Sequence, residues 1–217
     1  MPHRRGNARE PIGVWSSGRG GRGHNVTMDV IELSDAGWKR HDFYMRLALV
    51  VESGAKCLGS RVGAVIVRDN RVLGSGYNGT PAGYANCTES ERGCRRCALR
   101  LEQPAAGIAG RLYDICLCVH AEQNAMLTAA RFGTALDGAF LYTTVQPCFN
   151  CLKELMQVRL CGVVYQRPWK AGHPDYAWVS TEYDRLVDHY RSNGNLFARL
   201  AQTDTFPAVQ LETGQPT

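Results

Sequence analysis

The chain has 217 residues, which is enough for one domain of ordinary size with a full hydrophobic core. Its formal net charge is +5, and 44% of its residues are hydrophobic. It has no apolar run of about 18 residues, and its first residues lack the apolar core of a secretory signal. These features argue against a membrane or secreted protein, so we expect a cytoplasmic one.

Residues 1–36 are predicted to form a disordered extension rich in arginine and glycine. Residues 1–24 contain five arginines and a single acidic residue, Glu10, so this stretch carries most of the net charge. A Gly- and Arg-rich stretch without hydrophobic periodicity is more typical of a disordered tail than of a folded nucleic-acid-binding face. We therefore do not expect nucleic acid as a partner.

Residues 37–205 are predicted to form one folded domain, and residues 206–217 a flexible tail. A largely buried helix starts near Trp38, and a β-hairpin turns at Asp69-Asn70. Strands and helices then alternate, which indicates the α/β class with a mixed sheet. The predicted ranges are helix 121–131, strand 139–144, helix 148–158, strand 162–165, helix 181–192 and strand 196–200.

An insertion at about 80–118 is rich in Gly, Pro, Cys and Arg and cannot bury a core of its own. The chain has nine cysteines, and in a reducing compartment their Cys-x-x-Cys spacings favour metal sites over disulfides. The spacing favours a structural zinc on Cys57, Cys87, Cys94 and Cys97. Cys116 and Cys118 are rival ligands, although their alternation would equally suit core residues of a strand.

Two motifs 25 residues apart supply a second set of metal ligands, His120-Ala121-Glu122 and Pro147-Cys148-Phe149-Asn150-Cys151. One imidazole and two thiolates fill three corners of a zinc tetrahedron and leave the fourth for water. This is the known signature of zinc deaminases. An open corner indicates catalysis, whereas a closed zinc knuckle with a fourth protein ligand is the structural alternative.

Each motif lies at the predicted start of a helix, where the helix dipole favours the thiolate form of Cys148 and Cys151. Zinc at such a site makes water a nucleophile at neutral pH. Glu122 lies two residues after the His120 ligand, close enough to reach that water without binding the metal. We therefore expect Glu122 to be the proton shuttle.

With these residues in view, the chain resembles the deoxycytidylate deaminase family of the cytidine deaminase-like superfamily, from about Trp38 to Tyr165. The resemblance implies a three-layer α/β/α fold with a central mixed five-stranded sheet, and hydrolysis of dCMP to dUMP and ammonia. It also implies a homo-oligomer, commonly a hexamer, with dCTP and dTTP as possible regulators. The segments that carry it are Lys56-Cys57, Val62–Val67, Gly76–Gly83, Asn86-Cys87, Gly93–Cys97 and Cys118–Ala125.

The resemblance further implies site residues. Asn78 would contact the sugar and Thr80 the phosphate, with Ala121 also at the substrate, although a plain glycine-rich turn is the alternative for this loop. Arg131 would join a regulatory nucleotide site, or equally be a solvated residue at a helix end. Trp169 stands where relatives often carry a tyrosine, and its ring can stack on a base but lacks a phenolic hydroxyl.

Other functions compete with dCMP deamination. The substrate could be a modified cytosine nucleotide of secondary metabolism, which the tryptophan in place of tyrosine leaves open. A nucleic-acid-editing cytosine or adenine deaminase is supported only by the arginine-rich extension. A nucleotide sensor without turnover is disfavoured because a binding module has no use for the acid of Glu122.

Overall fold

A computed structural model describes residues 35–87, 94–102, 116–169 and 177–200. The predicted extension and tail therefore lie almost wholly outside the described residues. Among the described helices, none is both long and apolar enough to cross a lipid bilayer. In chain order the elements are α1 (Asp35–Glu52), β1 (Gly63–Arg68), β2 (Arg71–Tyr77), α2 (Arg95–Glu102), α3 (Ala121–Arg131), β3 (Phe140–Val145), α4 (Phe149–Gln157), β4 (Gly162–Arg167), α5 (Ala177–Ser192) and β5 (Leu196–Arg199).

The five strands form one mixed sheet in the order β2-β1-β3-β4-β5. β1 pairs antiparallel with both β2 and β3, whereas β3, β4 and β5 run parallel. Each parallel connection passes through a helix, as parallel strands require. The predicted α/β class and the five-stranded mixed sheet are confirmed.

Helices cover both faces of the sheet, which gives three layers. Alternate residues of β1 point to opposite faces, so Ala64 and Ile66 lie in one core and Val65 and Val67 in the other. The second core is closed by Tyr44, Met45 and Ala48 of α1. The first core is closed by α3, α4 and α5, so the two helices that begin at the predicted catalytic ligands lie on one side of the sheet.

The hairpin turn lies at the predicted position. Asp69 and Asn70 both have positive φ, at 52° and 60°, which is the backbone of a two-residue turn whose twist matches paired strands. Aspartate and asparagine tolerate this left-handed conformation better than other residues with a Cβ. The turn pairs Arg68 with Arg71, and the register of β1 against β2 then shifts by one residue between Ile66 and Val67.

Two elements differ from the sequence prediction. α5 begins at Ala177, four residues before the predicted start at Thr181. α2 occupies Arg95–Glu102, inside the insertion, where no element was predicted. α2 has only two turns, which is too short for hydrophobic periodicity to reveal, and an ion pair of 3.2 Å joins Arg95 to Glu102.

Glycines in β2 let α3 lie directly on the sheet. A Cβ added to Gly76 would lie 2.5 Å from the carbonyl oxygen of Ala121 and 2.7 Å from Cβ of Asn124. Gly74 faces the Ala125 carbonyl in the same way. Since Ala121 is the first residue of α3, this close approach sets where that helix begins relative to the sheet.

Replacing Gly76 by alanine should lower the free energy of unfolding by about 1–3 kcal/mol, because the new methyl group must displace the α3 backbone. Gly79→Ala is the matched control, since a Cβ there would lie 3.9 Å from the nearest atom, in the Tyr77 ring. Urea unfolding compares both variants with the native protein. A Gly76→Ala variant as stable as the native protein would contradict the packing described.

Candidate active site

His120 is positioned by the chain on both sides of it. Before it, Val119 and Gly79 form an antiparallel bridge with hydrogen bonds of 2.8 and 3.3 Å. After it, His120 is the N-cap residue of α3, and its backbone N–H donates to Oε1 of Gln123 at 3.1 Å. The imidazole therefore projects from a helix N-terminus that is tied to the loop after β2.

Cys148 is likewise the N-cap residue of α4, and Cys151 lies buried in the first turn of that helix. Only three residues separate the helix from β3, so the strand directs it to this end of the sheet. The Tyr183 hydroxyl of α5 donates to the carbonyl oxygen of Pro147 at 2.7 Å, which fixes the residue before Cys148. Gln123 Nε2 donates to Glu154 Oε1 at 3.0 Å, which joins α3 to α4.

The three predicted ligand atoms come together. Nδ1 of His120 lies 3.4 Å from Sγ of Cys148 and 3.4 Å from Sγ of Cys151, and all three atoms lie within 4.8 Å of one another. A zinc tetrahedron with metal–ligand distances of about 2.0–2.3 Å has edges of roughly 3.3–3.8 Å. The spacing therefore fits one zinc ion held by one nitrogen and two sulfurs.

The charges of these groups also suit a cation. The hydrogen bond from Cys151 lowers the pKa of Cys148 to about 4, and a hydrogen bond to His120 adds to this effect. The same bond to Cys148 raises the pKa of His120 to about 9. The Cys148 thiolate thus favours positive charge at the centre of the group, which is where a metal cation would lie.

Glu122 is almost fully buried, at 4% exposure, and its carboxylate faces the ligand group. Its Oε2 accepts a hydrogen bond from Sγ of Cys151 at 3.7 Å. Burial raises the pKa of Glu122 to about 7, and the Cys148 thiolate adds to the shift. A carboxyl group in this environment is of the kind that exchanges protons at active sites.

A cavity opens beside the ligand group and is lined by His120, Glu122, Ala121, Asn78 and Trp169, among other residues. Asn78 is buried, and its side chain is held by the backbone: Nδ2 donates to the Ser60 carbonyl at 2.7 Å, and Oδ1 accepts from the Val62 N–H at 2.8 Å. Asn78 therefore shapes the cavity wall, and its contact with a substrate sugar stays a prediction.

Trp169 is half-buried and forms another wall of the cavity. Its ring packs against Tyr183 with a centroid separation of 5.0 Å, and its backbone N–H donates to Oε1 of Gln146 at 3.2 Å. The indole Nε1 is buried and has no hydrogen-bond partner among the residues that the structure describes.

Two predicted residues do not line the cavity. The Thr80 hydroxyl donates to the carbonyl oxygen of Tyr84 at 3.3 Å, on the outer side of the loop. Arg131 is exposed in the last turn of α3, at the helix end opposite to His120. Roles for these residues in phosphate binding and regulation remain predictions.

The sequence did not single out three residues that the structure places at the site. Gln146 lines the cavity and donates through Nε2 to the Tyr183 hydroxyl at 3.3 Å. Tyr183 was predicted only as part of a buried helix face. Arg96 lies 8% exposed in the cavity wall, and its position between Cys94 and Cys97 was the signal that could have found it.

Cysteines of the insertion are grouped beside the same cavity. Sγ atoms of Cys57, Cys87 and Cys97 form one group that could hold a metal ion, and Cys94, Cys97 and Cys116 form another. Cys118 is buried in the same cluster, whereas Cys161 lies apart and its thiol donates to the Gly138 carbonyl at 3.0 Å. The four predicted ligands lie in one cluster, with Cys94 in a different group from Cys57 and Cys87.

Residues 38–167 match a family model described as cytidine and deoxycytidylate deaminase zinc-binding region. A deoxycytidylate deaminase of Schizosaccharomyces pombe is 41% identical over 123 residues, which cover 57% of this chain and 35% of that protein. One from Mycobacterium phage D29 is 37% identical over 128 residues, covering 58% of this chain and 93% of that protein. The resemblance inferred from the motifs is therefore confirmed.

This chain spans little more than a third of the S. pombe relative and 38% of a Saccharomyces cerevisiae deoxycytidylate deaminase. Among solved structures, the dCMP deaminase of cyanophage S-TIM5 in complex with dCMP and dUMP is similar, with a TM-score of 0.52 and 23% identity. The match covers 75% of this chain and 97% of that chain. At this identity the likeness establishes a shared fold.

Proposed function

The chain belongs to the cytidine and deoxycytidylate deaminase family, and on that premise we propose that it hydrolyses the 4-amino group of a free pyrimidine deoxynucleotide. The proposed reaction converts dCMP, or a close analogue, and water into dUMP and ammonia. One observation carries the proposal. His120 Nδ1 and the sulfurs of Cys148 and Cys151 lie at zinc-ligand spacing, with the Glu122 carboxylate beside them at the floor of a cavity.

His120, Cys148 and Cys151 would hold the catalytic zinc, because their donor atoms match its preferred distances and leave a fourth position to the cavity. When bound, zinc supplies the Lewis acidity that makes water a competent nucleophile at neutral pH. A structural zinc on cysteines of the insertion is part of the same proposal. It would hold the insertion in place, since few apolar side chains are available to do so.

Glu122 would carry the protons of the reaction. Its carboxylate accepts a proton from the attacking water as oxygen adds to C4 of the ring, and it passes that proton to the ring nitrogen N3. The second proton of the water is then delivered by Glu122 to the amino group, which leaves as ammonia while the C4 carbonyl forms. The buried position of Glu122 keeps these transfers away from bulk solvent.

The cavity walls would orient the pyrimidine. The Trp169 ring, braced by Tyr183, offers an apolar face on which a base can stack. On the other side, the Asn78 amide and the backbone around Ser60 and Val62 form a polar wall suited to a sugar. The deoxycytidylate deaminases among the relatives support dCMP as the substrate.

Glu122→Gln should reduce the turnover of dCMP by about 100- to 10,000-fold, because the amide keeps the shape of the side chain but cannot carry protons. Ammonia release is measured with dCMP, CMP, 5-methyl-dCMP, 5-hydroxymethyl-dCMP and deoxycytidine as substrates. The matched control is Glu182→Gln, which changes a carboxylate that pairs with Arg185 on α5 and does not line the cavity.

Zinc analysis of the same variants distinguishes loss of the proton carrier from loss of the metal ion. The Glu122→Gln protein should contain as much zinc as the native protein, whereas His120→Ala should contain one zinc fewer. Equal ammonia release by native protein and Glu122→Gln would contradict the assignment of the proton carrier. Unchanged zinc in His120→Ala would contradict the ligand assignment.

Trp169→Ala should raise KM for dCMP by roughly 5- to 150-fold with a smaller change in kcat, because base–aromatic stacking is worth about 1–3 kcal/mol. Trp178→Ala is the matched control, since that ring is 62% exposed on α5 and does not line the cavity. Steady-state kinetics over a range of dCMP concentrations measure both constants. An unchanged KM in Trp169→Ala would contradict the stacking role.

We also propose that the protein self-associates, as a hexamer, through the outer face of α3, and that Arg131 contacts a regulatory dCTP or dTTP. Leu127 and Phe132 lie near Arg131 in the chain and are 58% and 75% exposed, so they offer apolar area for a contact between copies. Light scattering should give the mass of six chains. The rate of dCMP deamination should respond to dCTP in the native protein and not in Arg131→Ala. A monomer at every concentration would contradict this proposal.

A further inference from the structure

Six cysteines converge beside the candidate active site as two overlapping groups. The sulfurs of Cys57, Cys87 and Cys97 lie within 4.8 Å of one another, and those of Cys94, Cys97 and Cys116 do the same. Cys97 is a member of both groups. The close sulfur pairs that span the six residues are Cys57 with Cys97 at 3.7 Å, Cys87 with Cys118 at 3.5 Å and Cys94 with Cys116 at 3.8 Å.

Cys118 belongs to neither group but contacts members of both. Its thiol is in hydrogen-bond contact with Cys57 and Cys97 of the first group and with Cys116 of the second. It also lies 3.5 Å from Cys87. Cys97 has the matching pattern, with contacts to Cys57 on one side and to Cys116 and Cys118 on the other. Cys97 and Cys118 therefore occupy the centre of the cluster.

The number of ligands distinguishes one metal ion from two. A zinc ion in a structural site takes four ligands, so one ion leaves two of the six thiols unused. Two ions need eight coordination positions, and six thiolates supply eight when two of them bridge both metals. The two central cysteines are placed for bridging, and each outer pair is placed to complete one tetrahedron.

We propose that the six cysteines bind two zinc ions as a binuclear thiolate cluster. Cys57 and Cys87 would be the terminal ligands of one ion, and Cys94 and Cys116 those of the other, with Cys97 and Cys118 bridging. The proposal extends the structural zinc given above from one ion to two, and it does not depend on deaminase activity.

Distances and charge in the cluster agree with this arrangement. Two thiolates on one zinc, at about 2.3 Å from the metal, are separated by about 3.8 Å in a tetrahedron. The three close sulfur pairs lie between 3.5 and 3.8 Å. Six thiolates exceed the charge of two divalent cations, and the Arg96 guanidinium, 8% exposed, offsets part of the excess at 3.9 Å from Cys116 Sγ.

The cluster would fix one wall of the catalytic cavity. Its cysteines come from the segment after α1, from the end of the β2 loop, from the start of α2 and from the segment before α3. Cys57, Cys116 and Cys118 line the cavity together with His120 and Glu122. Since Cys118 lies two residues before His120, metal binding in the cluster would also fix the short chain segment that leads to His120.

Metal stoichiometry tests the proposal on the native protein. Elemental analysis, with protein measured by amino-acid analysis, should give three zinc ions per chain, and two in His120→Ala, which isolates the cluster from the catalytic site. After replacement with ¹¹³Cd, the cluster should show two tetrathiolate resonances split by coupling through the bridging sulfurs. One zinc in His120→Ala, iron in place of zinc, or an uncoupled single resonance would overturn the proposal.

Single variants test the division into terminal and bridging ligands. Cys94→Ser should lose one zinc and keep the others, whereas Cys97→Ser should lose both cluster ions. Cys161→Ser is the matched control and should keep all three. Full zinc content in Cys94→Ser would overturn the assignment. If a variant does not fold, the native stoichiometry and the cadmium coupling still decide between one cluster ion and two.

Discussion

The N-termini of α3 and α4 meet at one end of the sheet, and the chemistry of the site depends on this meeting. α3 reaches that position because Gly74 and Gly76 of β2 have no side chain to hold it away from the sheet. α4 reaches it because β3 directs the chain there and the Tyr183 hydroxyl secures Pro147. A shift of either helix by an ångström would separate His120 from the two sulfurs.

Helix N-termini are suited to this task because their unpaired N–H groups and dipoles favour thiolates. The same feature brings a cost, since it concentrates buried thiols and the Glu122 carboxyl in a small volume with little water. The pKa of Glu122, raised by burial, is an expression of that cost. A bound cation would relieve it, and the fold is in this sense completed by metal.

The cysteines of the insertion also concentrate buried thiols in a small volume. The segments of the insertion that the structure describes bury cysteines and few other apolar side chains, and the described cores on the two faces of the sheet are formed without them. Cysteines therefore gather where a hydrophobic core would otherwise be. Because they line the cavity of His120 and Glu122, the part of the molecule that lacks a hydrophobic core is also the part that shapes the substrate wall.

Much of this arrangement could be predicted from the sequence, because local chemistry dictated it. Metal ligation restricts residue type and spacing, so His120, Cys148 and Cys151 stood out, and the Asp69-Asn70 pair marked the hairpin. The grouping of the insertion cysteines could not be predicted, since it depends on how distant segments fold together. The same holds for Gln146 and Tyr183, whose importance lies in hydrogen bonds that join separate elements.

The most direct test of the central claim is to incubate the zinc-loaded native protein with dCMP in water enriched in ¹⁸O and identify the products by mass spectrometry. Hydrolytic deamination predicts dUMP that carries one ¹⁸O atom in the ring carbonyl, with one ammonia released for each dUMP. Absence of dUMP, or dUMP without the label, would contradict the account.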